Sequence, residues 1–330
     1  MQKNKLRIIL SLLGMAYLYI HLDGAAPVKI VKISFFPNED ALIKYDYSLG
    51  KRGSFDFYKN EIYYCSGDQH EAFQIDLNGK LLRKFGRKGQ GPGEFIGPSS
   101  LRIAADQIYI YDTGNGRFQI FSLDGKYERQ FSIPIQVNDY KISSGQLFVL
   151  KSNPQPNDQN VIFPISIYGN EGEKDMEISA APFNKIKNNE ELKANNVLSM
   201  QIYKNQIHCL QKYGTNYRIY DLQGKLMKDF DLEINPLSLP ERKNMKGWLW
   251  TFQAFYVDDD RIYASCALTG NVSIYVFDLD GGLLEIYRSP LSPDEKYACD
   301  ELKVITINEK KYLLMLFRLP DCNFGMFGID

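Results

Sequence analysis

The chain has 330 residues, 44% of them hydrophobic and 24% charged, a composition that supports a packed core and excludes a disordered chain. Its 39 Lys and Arg stand against 40 Asp and Glu, for a formal net charge of -1. That balance leaves no electrostatic footprint for nucleic acid. The 22 Tyr and 20 Phe against two Trp favour pleated, half-buried strands.

The chain begins as an export signal begins. Lys3, Lys5 and Arg7 precede an apolar run from Ile8 to Ile20, about 13 residues and within the range of a signal core. It is short for a membrane span, which needs about 20 apolar residues. Gly24-Ala25-Ala26 offers small residues for cleavage, although Pro27 would follow the cut. No Cys stands near this run to carry a lipid. Residues 1–26 are therefore read as an export signal or N-terminal anchor, and 27–330 as one domain. The expected location is periplasmic or cell-surface, with membrane association through the N-terminal segment if it is retained.

A four-strand unit then recurs. Its clearest marks are the turns at Asn78-Gly79, Asp124-Gly125, Glu171-Gly172, Gln223-Gly224 and Asp280-Gly281. They are spaced about 46 to 57 residues apart, in or near the range of propeller blades. An alternating run precedes each turn (Phe73–Leu77 before the first) and another follows it (Leu81–Phe85). Such pairs of runs across an Asn-Gly or Asp-Gly turn read as hairpins. Upstream of each lies a second hairpin with a polar turn, as at Lys59-Asn60-Glu61 and Asp258-Asp259-Asp260. Each unit thus holds four strands, a to d.

Five units end near Arg288, and a sixth has three runs: Leu302–Ile307, Tyr312–Leu319 and Phe324–Ile329. The alternating Val28–Phe35 belongs to no unit. It is expected to supply the missing strand and close a ring, which removes exposed sheet edges. The fold expected is all-β, a six-bladed β-propeller of four-stranded antiparallel blades. A two-domain β-sandwich is the alternative, but sandwiches lack this four-strand period.

The stretch Gly86-Arg87-Lys88-Gly89-Gln90-Gly91-Pro92-Gly93-Glu94-Phe95, followed by Pro98, resembles the blade-to-blade linker of NHL-type six-bladed propellers. More closely, the chain is similar to the exported NHL-like and TolB-like propeller proteins common in Bacteroidetes. The likeness covers nearly all of residues 27–330 by repeat pattern but is motif-like only in this linker. It implies the fold more than any activity, because propellers host unrelated functions. Relatives often carry a lipid-accepting Cys, which this chain lacks.

In propellers as a class the d–a crossovers and b–c loops share one rim, the usual ligand face. Here that set is long and varied: Gly86–Gly97, Ala181–Val197, Asn235–Gly247 and Ser289–Ala298. Residues 184–194 are expected to include a helical turn or two. Long loops on a rigid scaffold are where binding usually resides. The candidate rim residues are Arg87, Lys88 and Gln90 in the first crossover; Asp68, His70 and Glu71 in one b–c loop; Arg117 in another; and Tyr213, Asn216, Trp248 and Trp250 farther on. Each is weighed against a packing or turn role.

Catalysis has little support in the residues. With three His, a multi-histidine zinc site is out of reach. No Gly-x-Ser-x-Gly elbow is present, and Gly86–Phe95 contains Pro92 and lacks the following helix of a phosphate loop. Propeller lactonases use a central calcium, an oxygen-liganded ion, but no inward-facing ligand set is evident. No cofactor is expected. Of the five Cys, Cys65, Cys209 and Cys266 sit in apolar runs as buried thiols, while Cys299 and Cys322 fall in one unit and could pair. The expected function is an exported, non-catalytic module that binds a protein, peptide or glycan on the rim. The alternative is a calcium-type propeller hydrolase or lyase with its site at the channel mouth.

Overall fold

The computed structural model describes residues 49–50, 53–152, 162–180, 198–211, 215–234, 252–266, 272–288, 299–317 and 323–329, and the backbone of four N-terminal strands, Arg7–Leu10, Leu18–His21, Val28–Lys32 and Ser34–Phe35. The chain forms a six-bladed β-propeller. Strands a to d of blade 1 are Gly53–Tyr58, Glu61–Ser66, Glu71–Asp76 and Leu81–Phe85. Blades 2 to 4 repeat the order over Pro98–Ser132, Val137–Ala180 and Leu198–Asp231. Blade 5 runs from Phe255 to Arg288, and blade 6 holds Cys299–Ile307, Lys310–Phe317 and Asn323–Gly328. Pairing within each blade is antiparallel, in the order a-b-c-d. Among the described residues there is no helix. The expected helical turn at 184–194 lies outside them, as do the three long crossovers after the first.

The a–b turns are tighter than their composition suggests. All six hold two central residues at positive φ, from Lys59 and Asn60 (51° and 62°) to Asn308 and Glu309 (48° and 66°). That geometry matches the right-handed twist of the flanking strands. The c–d turns use glycine, as at Gly125 (φ 77°), where an added Cβ would stand 2.9 Å from the Phe85 ring of the preceding blade. Glycine is needed there twice over, for the backbone angle and for the close approach.

The blades are glued by apolar side chains from facing sheets. Each of six core clusters spans one seam. Phe118, Tyr140 and Val149 belong to the cluster between blades 2 and 3, and Tyr217, Phe255 and Phe277 to that between blades 4 and 5. Polar latches repeat around the outside. Arg83 donates to the Asp124 carbonyl of the next blade. Arg129 does so to the Asn170 carbonyl at 2.6 Å, and Lys228 reaches Asp280 at 2.6 Å.

The seam between blades 6 and 1 is packed like the others, with Phe324, Leu314 and Met326 against Phe55, Tyr64 and Phe73. The Phe55 and Phe324 rings meet edge-on at 5.1 Å. The N-terminal segment divides its pairing. Val28–Lys32 runs parallel to Leu283–Arg288 at the outer edge of blade 5, and Ser34–Phe35 pairs with Gly328 and Phe327 of blade 6. Closure of blade 6 by this segment is our proposal. A chain starting at residue 37 should melt about 5 °C or more below one starting at residue 27, since in a domain of this size each lost kcal/mol costs roughly 2–4 °C. Equal melting temperatures in calorimetry would contradict that role.

Candidate functional site

The a strands line the axis and touch one another all round the ring, including blade 6 against blade 1. Strand side chains alternate, and each a strand uses this in the same way. One residue points into a seam and is buried: Phe55, Leu101, Tyr140, Met200, Phe255 and Leu302, each 3% exposed or less. Its two neighbours lie on the opposite face of the strand. They form pairs: Ser54 and Asp56, Ser100 and Arg102, Asp139 and Lys141, Ser199 and Gln201, Ala254 and Tyr256, Glu301 and Lys303.

All of these but Asp56 and Tyr256 line a polar cavity of about 160 Å³ on the axis, to which all six blades contribute. Its lining includes the first residues of the inner strands, among them Gly53, Ser99, Asn138, Gln253 and Asp300. Those strand starts follow the d–a crossovers, so the cavity lies toward the crossover rim.

Arg102 ties the channel together. Its Nη1 donates to Ser54 Oγ at 2.8 Å and its Nη2 to Asp139 Oδ1 at 2.6 Å and Glu301 Oε1 at 3.0 Å. Glu301 also accepts from the Phe55 amide at 2.7 Å and from Ser54 Oγ. Lys141 binds Asp139 at 2.7 Å, and Lys303 binds Asp56 at 2.9 Å. Burial disfavours the Asp139 carboxylate, but Lys141 and Arg102 outweigh it and hold the group down at about 2. Burial, with Arg102 adding repulsion, pulls Lys141 down to about 8 despite Asp139. Among the described residues, no three His, Cys, Asp or Glu side chains stand together as metal ligands.

The first crossover is a strapped loop. Phe95 is fully buried, and its ring stands 5.6 Å from Phe121. It lies so close to Gly86 (φ 84°) that an added Cβ there would come within 2.3 Å of the ring. Asp112 accepts from the Ile96 amide at 2.7 Å and from Asn115 at 2.6 Å. Gln119 Nε2 donates to the Glu94 carbonyl at 2.7 Å.

The candidate rim residues fall into three groups. Arg117 is buried, and its Nη2 donates to the carbonyls of Gly91 and Glu94 at 2.8 and 3.0 Å. His70 Nδ1 accepts from the Gly97 amide at 3.0 Å. Both hold the crossover in place. Arg87 pairs with Glu94 at 2.8 Å and Glu71 with Lys84 at 3.0 Å. Lys88, Gln90 and Asp68 are exposed. Asn216 lies apart in blade 4, bonded to Asp229 at 2.9 Å. Tyr213, Trp248 and Trp250 lie outside the described residues. His208 is buried in blade 4 with Nδ1 2.8 Å from the Tyr217 hydroxyl, and burial pulls it down to about 4. Cys65, Cys209, Cys266 and Cys299 are buried, while Cys322 lies outside the described residues.

The channel set escapes a loop-by-loop reading because it is spread over the whole chain. Its signal is nonetheless present, as a polar-apolar-polar triplet at the head of five units.

Comparison with known proteins agrees with this architecture. Residues 46–234 match a family model described as a 6-bladed beta-propeller. Among similar solved structures, a member of the DUF4221 family from Bacteroides vulgatus ATCC 8482 shares 11% identity at a TM-score of 0.57, covering 99% of this chain and 98% of that one. A Bacteroides fragilis NCTC 9343 protein named as exported shares 11% at 0.55, covering 90% and 94%. An inactive virginiamycin B lyase from Staphylococcus aureus, solved with quinupristin, shares 11% at 0.51, covering 98% and 94%. At these identities the likeness is one of fold.

Asp139→Asn should cost about 3 kcal/mol at neutral pH, because Arg102 and Lys141 lose a buried counter-charge. A depressed carboxyl contributes stability above its unfolded value of 3.8, and that contribution is lost as pH falls through about 2. The gap between variant and parent in urea unfolding should therefore close between those values. A gap that persists undiminished at pH 2 would contradict the ion-pair account.

Proposed function

The chain belongs to the DUF5128 family of six-bladed β-propellers, and we propose that it is an exported, non-catalytic binding module. It takes a protein, peptide or glycan on the crossover rim, seated over the channel mouth. The observation that carries this reading is the polar cavity to which all six inner strands contribute. A concave site with convergent polar groups on a rigid frame is where ligands bind.

The electrostatics favour holding a ligand over transforming one. A general base or a metal site needs a carboxylate free to take a proton or an ion. Asp56, Asp139 and Glu301 are instead engaged by Lys303, Lys141 and Arg102. Lys88 and Gln90 stand exposed on the first crossover, where they can add contacts to a ligand larger than the cavity. The strapped loop beneath them is pre-organised, which lowers the ordering cost of binding. Export is supported by the basic start and apolar run at residues 3–20, and by the fold shared with the exported Bacteroides fragilis protein.

A thermal-shift screen with glycans, short peptides, Ca²⁺ and Zn²⁺ tests the reading. A ligand at a hundred times its Kd stabilises the native state by about 2.7 kcal/mol. The expected result is a rise in melting temperature with a glycan, peptide or protein ligand and none with metal alone. A shift with metal only, together with metal retained by the purified protein, would overturn it in favour of a metal-dependent hydrolase or lyase.

A further inference from the structure

We propose that the channel cavity takes one uncharged sugar ring, the end of a neutral saccharide whose remainder lies on the rim. This rests on the binding-module reading and narrows its ligand.

Charge comes first. The cations lining the cavity, Arg102, Lys141 and Lys303, are already matched by Asp139, Glu301 and, beside the cavity, Asp56. A carboxylate or ammonium entering it would bring an unmatched charge into a partly desolvated recess, which is costly. A neutral ligand meets no such penalty.

Hydrogen-bonding capacity comes second. Two of the lining residues each carry a buried side-chain atom with no partner among the described residues: Ser100 Oγ and Arg102 Nε. Their residues are 4% and 7% exposed. The Arg102 group is a fixed donor and the Ser100 hydroxyl a rotatable donor and acceptor. Unpaired polar atoms at this depth are costly unless something polar reaches them. The other neutral lining groups are Ser99, Ser199, Asn138, Gln201 and Gln253. They are hydroxyls and amides, each able to both give and accept. Sugar hydroxyls have the same dual capacity, so a mixed set of this kind suits a polyol better than an acceptor-only anion.

Size comes third. A cavity of about 160 Å³ falls short of the roughly 300 Å³ at which pockets begin to enclose a drug-sized ligand. At about 30 Å³ per water it displaces roughly five waters. That is room for one ring, and it leaves the rest of a chain to the crossover loops.

The test is calorimetric titration of the propeller with three sets of ligands: neutral oligosaccharides with hexose or pentose ends, uronic-acid oligosaccharides, and short acidic and basic peptides. Each is run at low and high salt. A neutral saccharide should bind with an affinity that salt leaves unchanged, since no net charge is there to be screened. Ser100→Ala should weaken it about three- to tenfold, the worth of one neutral hydrogen bond, at a melting temperature equal to or above the parent's. Ser199→Tyr, which fills the cavity, should abolish it. Neutral binding that survives Ser199→Tyr overturns the inference. Binding of only acidic sugars or peptides, lost on Ser199→Tyr, also overturns it but leaves the binding-module reading standing. Silence from all three sets, with a shift from metal alone, removes both.

Discussion

One guanidinium, that of Arg102, joins four of the six blades at the axis. It reaches Ser54 and the Phe55 carbonyl in blade 1, Asp139 in blade 3 and Glu301 in blade 6 from its own place in blade 2. Taking this charge out of water is expensive, and the arrangement holds because two carboxylates and several neutral oxygens replace the lost solvent. Arginine suits the task because its planar fork meets several acceptors at once. The consequence is geometric. The channel residues of the first and last blades are held at fixed distances by a side chain from the second, so the mouth keeps one shape.

The same division of labour runs outward along every blade. Toward the axis, side chains are mostly polar, and the charged ones are paired. Between blades, aromatic and aliphatic side chains fill the seams. At the outer strands, exposed groups such as Leu82 and Met227 alternate with the cations that latch one blade to the turn of the next. Apolar packing supplies most of the cohesion. The latches are surface pairs worth little each, and their repetition fixes register more than it adds stability. The seam from blade 6 to blade 1 needs no special device, because Phe55, Phe324 and their neighbours pack there as others do elsewhere.

The repeat was legible because a turn with positive φ has few residues to choose from. Gly125 and its counterparts announced each c–d hairpin. The a–b turns are marked by flanking alternation instead, and Lys59-Asn60 and Asp259-Asp260 adopt the same positive angles without glycine. The crossover Gly86–Gly97 was legible as a linker, but not the roles within it. Arg117 reads in sequence as a candidate rim residue. In the structure it is buried and bound to loop carbonyls, because a loop packed against Phe121 needs its inward carbonyls satisfied. The channel was the hardest part to see. Ser100 and Glu301 are 201 positions apart in the chain, and only ring closure places them on one cavity.

A rigid polar mouth on a ring of blades is a surface built to hold something, and the neutral balance of its charges bears on what that is. Backbone hydrogen–deuterium exchange, with and without a bound ligand, tests most directly whether the mouth is the place. The account predicts slowed exchange at the starts of the inner strands, around residues 98–102, 137–141 and 299–303, with Leu226–Asp231 at the outer edge unchanged. Protection confined to the outer strands, with the inner starts unaffected, would contradict it.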